Sequence, residues 1–211
     1  MKKEDTSKIF HYKDLIIELH PEVYDPAEDT FLLLDTIRIN KDDSVLEIGT
    51  GCGLIALVCA RLGANVICTD KNPIAIELVK KNYLMNQNIL IGNFEVRIGN
   101  IFSPILSSET FDVIIFNPPY LPTKKEKLVG GWFDTAINGG KDGLLFTKRF
   151  IKELPTYLNK HGSAYFVYST LSNRDKLVSI FDKTKLFYKV IKSQCFDDET
   201  IEIYLVKKEK N

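Results

Sequence analysis

The sequence VLEIGTGCG, at residues 45–53, decides the fold of this chain. Its first four residues form a short, largely apolar run that is typical of a buried β-strand, and three glycines at alternating positions follow directly. A helical pattern then extends from Leu54 to Leu62 and is closed by Gly63. This order predicts a strand, a turn and a helix of an α/β unit, in which the glycines let a ligand approach the backbone closely.

The same alternation of strands and helices continues along the chain. The patterns predict strands of one sheet at residues 45–48, 66–69, 94–98, 113–116, 164–169, 188–194 and 201–206. They predict helices at residues 26–37, 54–62, 74–86, 144–158 and 174–183, and a turn at His161 and Gly162. The expected fold class is α/β: a doubly wound, Rossmann-like, seven-stranded and mostly parallel sheet with the last strand antiparallel.

The length predicts one domain. We expect residues 1–211 to form it, because a chain of this size can bury a full core. Residues 1–22 are an N-terminal extension, in which the first ten residues are expected to be frayed and residues 15–19 could form a short strand.

Charge argues against a protein that binds nucleic acid on its own. The chain has 28 Lys plus Arg and 28 Asp plus Glu, so its formal net charge is zero. Nucleic-acid-binding domains usually carry a basic excess or stripe. The short basic cluster of Lys124, Lys125 and Lys127 is typical of a solvated loop.

Cysteine and histidine spacing predicts no metal site. Cys52, Cys59, Cys68 and Cys195 form no CxxC pair, and we expect all four to be free, buried and reduced. The three histidines have no metal-ligand spacing either. The sequence shows neither a secretory segment nor an apolar run of transmembrane length, so we expect a cytoplasmic protein without a membrane partner.

A second motif, NPPY at residues 117–120, follows the apolar run of the fourth predicted strand. Each proline pushes the residue before it towards extended geometry, so the tetrapeptide is stiff. It presents an amide side chain, a carbonyl and an aromatic ring, which together could hold a flat substrate that carries an NH2 group. The alternative is turn chemistry that merely ends a strand. The long connection at 117–142 favours a functional site, because ligands bind at the carboxyl edge of such sheets.

Asp70 ends the second predicted strand, where an acid can accept hydrogen bonds from the two hydroxyls of a ribose. The glycine spacing differs from GxGxxG, and the turn carries no lysine, which excludes a P-loop. Together the turn and Asp70 favour a nucleoside-containing ligand over simple tight packing.

Three motifs in order carry a family resemblance: EIGTGCG at 47–53, Asp70-x-x-Pro73 and NPPY at 117–120. Together they resemble class I S-adenosylmethionine-dependent methyltransferases of the HemK/PrmC group, which methylate the glutamine of the Gly-Gly-Gln motif in translation release factors. The segment at 24–34 and the stretch from Trp132 to Gly143 are similar to the short eukaryotic and archaeal branch. The resemblance extends from about Val23 to the C-terminus.

The resemblance implies roles in binding S-adenosylmethionine. Thr30 would help to hold its methionine carboxylate, with Glu47 and Gly49 lining the same part, and Asp70 would take the ribose hydroxyls. Asn100 stands where the family usually has an acid at the adenine amino group, and an asparagine oxygen can still accept that hydrogen bond. The expected cofactor-binding residues are Thr30, Glu47, Gly49, Gly51, Asp70, Asn100, Ile101 and Asn117.

The chemistry of an amide substrate predicts the catalytic residues. An amide nitrogen is a poor nucleophile, so two acceptors, the Asn117 side-chain oxygen and the Pro118 carbonyl, would orient its NH2 and stabilise developing positive charge. Tyr120 would pack against the flat amide, and Pro119 completes the substrate site. No general base is required, because the sulfonium methyl is already activated.

Several neighbours have two interpretations each. Tyr24 and Glu28 are expected to line the pocket; the alternative for both is capping of the helix N-terminus and complementation of the helix dipole. We interpret Trp132 and Phe133 as a substrate wall rather than as core. The remaining pair, Gly139 and Gly140, could be a hinge or a simple turn.

Two other functions use the same residues. The NPPY geometry suits any planar NH2 group, so the chain could be an N6-adenine or other exocyclic-amine methyltransferase of nucleic acid, although its zero net charge argues against this. It could also be a non-catalytic cofactor-binding subunit. The resemblance further implies a small zinc-ribbon activator protein, which we expect to form a heterodimer beside the strand at 94–98.

Overall fold

The computed structural model describes residues 8–123 and 130–208. The strands are β1 Lys8–Tyr12, β2 Leu15–Leu19, β3 Ser44–Ile48, β4 Asn65–Asp70, β5 Phe94–Ile98, β6 Phe111–Phe116, β7 Leu158–Ser169, β8 Phe187–Phe196 and β9 Glu199–Lys207. The α-helices are α1 Glu28–Thr36, α2 Leu54–Arg61, α3 Pro73–Asn86, α4 Trp132–Ile137, α5 Leu145–Tyr157 and α6 Arg174–Phe181. The lysine cluster predicted to be a solvated loop lies outside the described residues.

The central sheet has seven strands in the order β5-β4-β3-β6-β7-β9-β8. Strands β3 to β7 are parallel, whereas β9 is antiparallel to both β7 and β8. The predicted fold class is therefore confirmed. Because β3 and β6 are neighbours with Ile48 opposite Phe116, the glycine turn and the NPPY motif leave the sheet side by side.

Alternating side chains of the sheet form a core on each face. From β3, Val45 faces a cluster that contains α1, α2 and α3, and Leu46 faces a cluster that contains α5 and α6. Both side chains are fully buried, and burial of such a residue contributes about 1.5–3 kcal/mol. The two helical layers thereby hold the carboxyl ends of β3, β4 and β6 as a rigid edge.

The N-terminal segment forms a hairpin of β1 and β2. Two asparagines of α3 hold it in place: Asn82 pairs with the backbone of Glu18 at 2.8 and 3.0 Å, and Asn86 pairs with the backbone of Ile16 at 2.9 and 2.7 Å. The predicted fraying of the first ten residues is therefore wrong for residues 8–10, which belong to β1.

Three predicted elements differ in the structure. Helix α1 begins at Glu28 rather than at Pro26. The predicted turn at His161 and Gly162 is wrong, because β7 already begins at Leu158 and a register shift against β6 absorbs the irregularity. The long connection after β6 contains the short helix α4, which was not predicted.

The cysteine prediction holds for three residues and fails for one. Cys52, Cys59 and Cys68 are free and buried, but Cys195 is free and exposed on β8. Strand β8 is the edge strand beyond β9, so a side chain there can face solvent where a central strand would be covered.

Candidate active site

One cavity lies at the carboxyl ends of β3, β4 and β6. Every residue that the sequence nominated for catalysis, cofactor binding or substrate binding lines it: Thr30, Glu47, Gly49, Gly51, Asp70, Asn100, Ile101, Asn117, Pro118, Pro119 and Tyr120. The chain therefore brings together side chains from five separate segments.

Not every predicted neighbour faces this cavity. Tyr24 and Trp132 line it, as expected. Glu28, Phe133, Gly139 and Gly140 are not among the described residues that line it, so the pocket-lining role of Glu28 is wrong. Phe133 packs beside Tyr24, with ring centroids 6.5 Å apart. It is 43% exposed and therefore not core, and its role as a substrate wall stays a prediction.

The glycine turn forms one wall of the cavity. Gly49 has a φ of +68° and Gly51 a φ of +57°, a left-handed region that costs other L-residues about 1–2 kcal/mol. Space is not the constraint at Gly49, because an added Cβ would lie 3.6 Å from the nearest atom, in the ring of Phe116. The backbone conformation itself therefore requires glycine and opens the turn towards the cavity.

Glu47 braces this turn from below. Its Oε2 atom accepts hydrogen bonds from the Thr50 hydroxyl at 2.5 Å and from the N–H of Ala56, in the first turn of α2, at 3.0 Å. Burial raises the pKa of Glu47 to about 8, although these two hydrogen bonds oppose the shift. The carboxyl group thus ties the turn to α2 and also lines the cavity.

Asp70 presents a carboxylate at the end of β4. Its Oδ2 accepts the N–H of Gly51 at 3.0 Å, and its Oδ1 accepts the N–H of Asn72 at 2.8 Å. Burial raises the pKa of Asp70 above its usual value. Each carboxylate oxygen can accept a second hydrogen bond, so the group is positioned to receive a pair of vicinal hydroxyls.

One part of the cavity, called the slot here, is lined by Gly99, Asn100, Ile101, Lys71 and Phe146. The ammonium of Lys71 lies 4.7 Å from the ring centroid of Phe146, and burial lowers the pKa of Lys71. Sequence reasoning missed both residues: Lys71 adjoins Asp70, which was a usable signal, whereas Phe146 comes from α5 with no local signal.

Asn117 carries the least satisfied group of the site. Its Nδ2 donates to the Asp29 carboxylate at 3.0 Å. Its Oδ1 is buried and has no hydrogen-bond partner among the described residues. A buried acceptor without a partner costs about 1–3 kcal/mol, so a ligand that donates a hydrogen bond there would relieve this cost.

Asp29 is a site residue that sequence reasoning missed. It accepts hydrogen bonds from the hydroxyl of Tyr120 at 3.2 Å and from the N–H of Thr30 at 2.6 Å, in addition to Asn117. An acid in the first turn of a helix is usually explained by the helix dipole. The contact with Asn117 spans 88 positions of the chain, which no local pattern reveals.

The two tyrosines of the site stay protonated at neutral pH. Burial, reinforced by the charge of Asp29, raises the pKa of Tyr24 and the pKa of Tyr120 well above the usual range. Both hydroxyls are therefore donors. The backbone carbonyl of Tyr120 also accepts the Ser172 hydroxyl at 2.8 Å, which holds the NPPY segment against the turn after β7.

Trp132, the first residue of α4, also lines the cavity. Its backbone N–H donates to the Glu22 carboxylate at 2.9 Å. The Glu22 carbonyl in turn accepts the side-chain amide of Asn72 at 2.9 Å. Helix α4 is thereby connected to the segment before α1 and to the start of α3.

The described residues show neither a metal-binding cluster nor a membrane-spanning helix. Residues 8–123 and 130–208 contain no group of three or more His, Cys, Asp or Glu side chains arranged to hold a metal ion. In the same ranges, none of the helices combines the length and the apolar character needed to cross a membrane.

Comparison with known proteins gives consistent matches. The methyltransferase small domain family matches residues 22–194. A Methanocaldococcus jannaschii protein named "Putative protein N5-glutamine methyltransferase" is 41% identical over 172 residues, which cover 81% of this chain and 84% of that one. Methyltransferase HEMK2 of Homo sapiens is 30% identical over 176 residues, which cover 78% of this chain and 79% of that one.

A solved structure shares the fold. The E. cuniculi Mtq2–Trm112 complex, described as responsible for methylation of the eRF1 translation termination factor, matches with a TM-score of 0.68. The match has 22% sequence identity and covers 89% of this chain and 99% of that chain. At this identity the likeness shows the fold.

Proposed function

The chain belongs to the methyltransferase small domain family, and from this premise we propose that it methylates the N5 amide nitrogen of a glutamine in a translation release factor. The predicted resemblance to glutamine methyltransferases is confirmed by the relatives of that name. The enzyme uses S-adenosylmethionine as its methyl donor. Such a reaction would take place in the cytoplasm, where release factors act.

One observation carries the choice of an amide substrate. The Oδ1 atom of Asn117 is buried without a partner among the described residues, and Asn117 lines the cavity. An NH2 group is the complement of that acceptor. A substrate nitrogen without hydrogen to donate would leave Oδ1 unsatisfied and keep its desolvation cost.

The described residues fit S-adenosylmethionine. We assign the ribose hydroxyls to Asp70, whose two oxygens are already fixed by Gly51 and Asn72. The adenine would lie in the slot between Ile101 and Phe146, with its amino group at Asn100. We assign the methionine part to Thr30, Glu47, Gly49, Gly51 and Asn117. When bound, the cofactor supplies an electrophilic methyl group on a sulfonium.

The residues of the NPPY motif at 117–120, which we call the substrate clamp, then act on the amide nitrogen. Asn117 Oδ1 and the Pro118 carbonyl accept its two N–H groups and aim its lone pair at the methyl carbon, while Tyr120 and Pro119 confine the amide plane. Transfer of the methyl group to this nitrogen would place positive charge on it. The two acceptors stabilise this charge until a proton leaves to water.

We also propose a small zinc-ribbon partner that forms a heterodimer along β5. This strand is at one edge of the sheet, so its outer backbone groups can pair with an added strand. Ile98, at its carboxyl end, is 59% exposed, and Ile91, just before the strand, is 62% exposed. A partner with apolar residues beside its own edge strand would cover both.

Mass spectrometry of a release factor after incubation with the chain, S-adenosylmethionine and the candidate partner tests the function. We expect one added methyl group on the Gly-Gly-Gln glutamine and none on a Gln→Ala release factor. Labelling of an adenine-containing RNA instead would favour the exocyclic-amine alternative. Unchanged cellular function after Asn117→Ala would favour a non-catalytic subunit.

A further inference from the structure

Asp29 contacts two of the four residues of the substrate clamp, Asn117 and Tyr120. It is in the first turn of α1 and only 4% exposed. Its Oδ1 accepts the N–H of Thr30 at 2.6 Å and the Thr30 hydroxyl at 3.1 Å. Its Oδ2 accepts the Asn117 amide at 3.0 Å and the Tyr120 hydroxyl at 3.2 Å.

These donors occupy the carboxylate fully. An ionised carboxylate has about four lone-pair sites and no hydrogen to donate, and the contacts to Thr30, Asn117 and Tyr120 supply four donors. The hydroxyl of Tyr24 lies at a longer 3.4 Å from both oxygens. Each polar group that contacts this buried carboxylate must therefore donate a hydrogen bond to it.

The requirement for a donor determines which end of the Asn117 side-chain amide faces Asp29. The two ends of an amide have nearly the same shape, so packing alone would accept either orientation. Against a carboxylate, only the NH2 end can make a hydrogen bond. The carbonyl end must then face away from Asp29, and its Oδ1 is the atom left buried without a partner.

We propose that Asp29 is a positioning residue that fixes the Asn117 amide and thereby makes the clamp select substrates that donate hydrogen bonds. The inference rests on the proposed function, since the selected group would be the NH2 of glutamine. With the amide reversed, the clamp would present hydrogen to the substrate and accommodate a carboxylate such as that of glutamate. Asp29 thus acts on specificity through Asn117 rather than by touching the substrate.

Exchange of the two side chains tests this inference directly. In Asp29→Asn the side chain can donate as well as accept hydrogen bonds, so the Asn117 amide is free to reverse. We expect kcat on a glutamine peptide to fall by about 100-fold, as for loss of one preorganised group. Asn117→Asp places two carboxylates in contact and should be at least as damaging. In the double exchange, the asparagine at position 29 can donate to the aspartate at position 117, which keeps an acceptor towards the cavity, and the net charge is restored. Its kcat should therefore be at least about tenfold higher than that of either single variant.

The preference for a glutamine peptide over a glutamate peptide is the decisive measurement, because a purely structural role of Asp29 would leave this preference unchanged. For the wild-type chain we expect a peptide with glutamate in place of glutamine to compete poorly. In Asp29→Asn the preference for glutamine should shrink, and in the double exchange it should return. Glu28→Gln is the matched control, because it removes one charge from the same helical turn at an exposed position and should leave kcat and discrimination unchanged.

A measurement without substrate separates this inference from the proposed function. The Asn117 NH2 signals, identified by their loss in Asn117→Ala, should show slow hydrogen exchange in the wild type and fast exchange in Asp29→Ala. Fast exchange in the wild type, or a double exchange no better than the single variants, overturns the role of Asp29. An active-site amide protected by Asp29 in a chain that methylates no release factor overturns only the proposed function.

Discussion

Asp70 closes the glycine turn, because its Oδ2 atom accepts a 3.0 Å hydrogen bond from the backbone N–H of Gly51. The same carboxylate is the acceptor proposed for the cofactor ribose. One side chain therefore holds the shape of the turn and offers binding capacity to the ligand that the turn admits.

Asp70→Asn should weaken cofactor binding strongly. An amide offers one acceptor oxygen where Gly51 and Asn72 now use two, so one backbone N–H would face an NH2 group. Hydrogen bonds to charged groups contribute about 1.5–3 kcal/mol, and we expect the dissociation constant for S-adenosylhomocysteine to rise about 10- to 150-fold. Titration calorimetry measures this. Asp182→Asn, an exposed change after α6, is the control, and equal affinity in both variants would contradict the assignment.

Local patterns predicted the parts of this site that local structure determines. The strand, turn and helix around 45–62 follow from composition and glycine spacing, and Asp70 follows from its place at a strand end. The carboxyl ends of neighbouring parallel strands must meet at one edge, so the NPPY motif could be placed beside the glycine turn. The cavity that all predicted site residues line is the outcome of that topology.

Other parts depend on contacts between distant segments. Asp29 reaches Asn117 only through the packing of α1 on the sheet, and Phe146 reaches the slot from α5. Gly162 suggested a turn, yet it lies within β7, where a register shift separates the pair Phe111–Leu158 from the pair Val113–Ser163. In each case contacts between distant parts of the chain determine the structure. The local sequence either gives no indication of it or favours a different conformation.

Asn117→Ala should abolish most methylation. The substitution removes the buried Oδ1 that we assign to the substrate NH2. Loss of one such preorganised group typically lowers kcat by about 10²- to 10³-fold. Rates on a release factor, measured with methyl-labelled cofactor, give the effect. Asn40→Ala, at an exposed loop position, should retain full activity, and a twofold or smaller loss for Asn117→Ala would refute the clamp.

Glu47→Gln should make the fold more stable at alkaline pH. Burial raises the pKa of Glu47 from 4.5 to about 8, so the folded chain binds this proton more tightly than the unfolded chain. The stabilisation is complete below about pH 4.5 and is lost as the pH rises towards 8. Because Thr50 and Ala56 both use Oε2, the single oxygen of glutamine can replace it without any charge.

The measurement is the thermal midpoint of both proteins from pH 5 to pH 8.5. The difference in favour of Glu47→Gln should be small at pH 5 and grow with pH, where each kcal/mol corresponds to roughly 2–4 °C for a chain of this size. Glu28→Gln controls for charge at an exposed site. A variant that is less stable at every pH would show that the second carboxylate oxygen has a structural partner.

Ile98→Lys should weaken partner binding without damaging the cofactor site. A lysine on the β5 edge adds a charge that must be desolvated when a partner strand covers it. We expect the affinity for the zinc-ribbon partner to fall at least about tenfold, as for an interface hot spot. Val178→Lys changes a half-exposed residue of α6 and should bind normally. A chain that is monomeric and fully active alone would contradict the proposed heterodimer.

Asn100→Asp should strengthen cofactor binding. Asn100 lines the slot that we propose for the adenine, and its neutral oxygen would accept the adenine amino group. A charged acceptor makes a hydrogen bond roughly twice as strong as a neutral one, so we expect the affinity for S-adenosylhomocysteine to rise about three- to tenfold. The analogue with inosine in place of adenosine has an oxygen instead of the amino group, and its affinity should fall in the same variant. Equal changes for the two ligands would mean that Asn100 acts on the cavity charge and not on the adenine amino group.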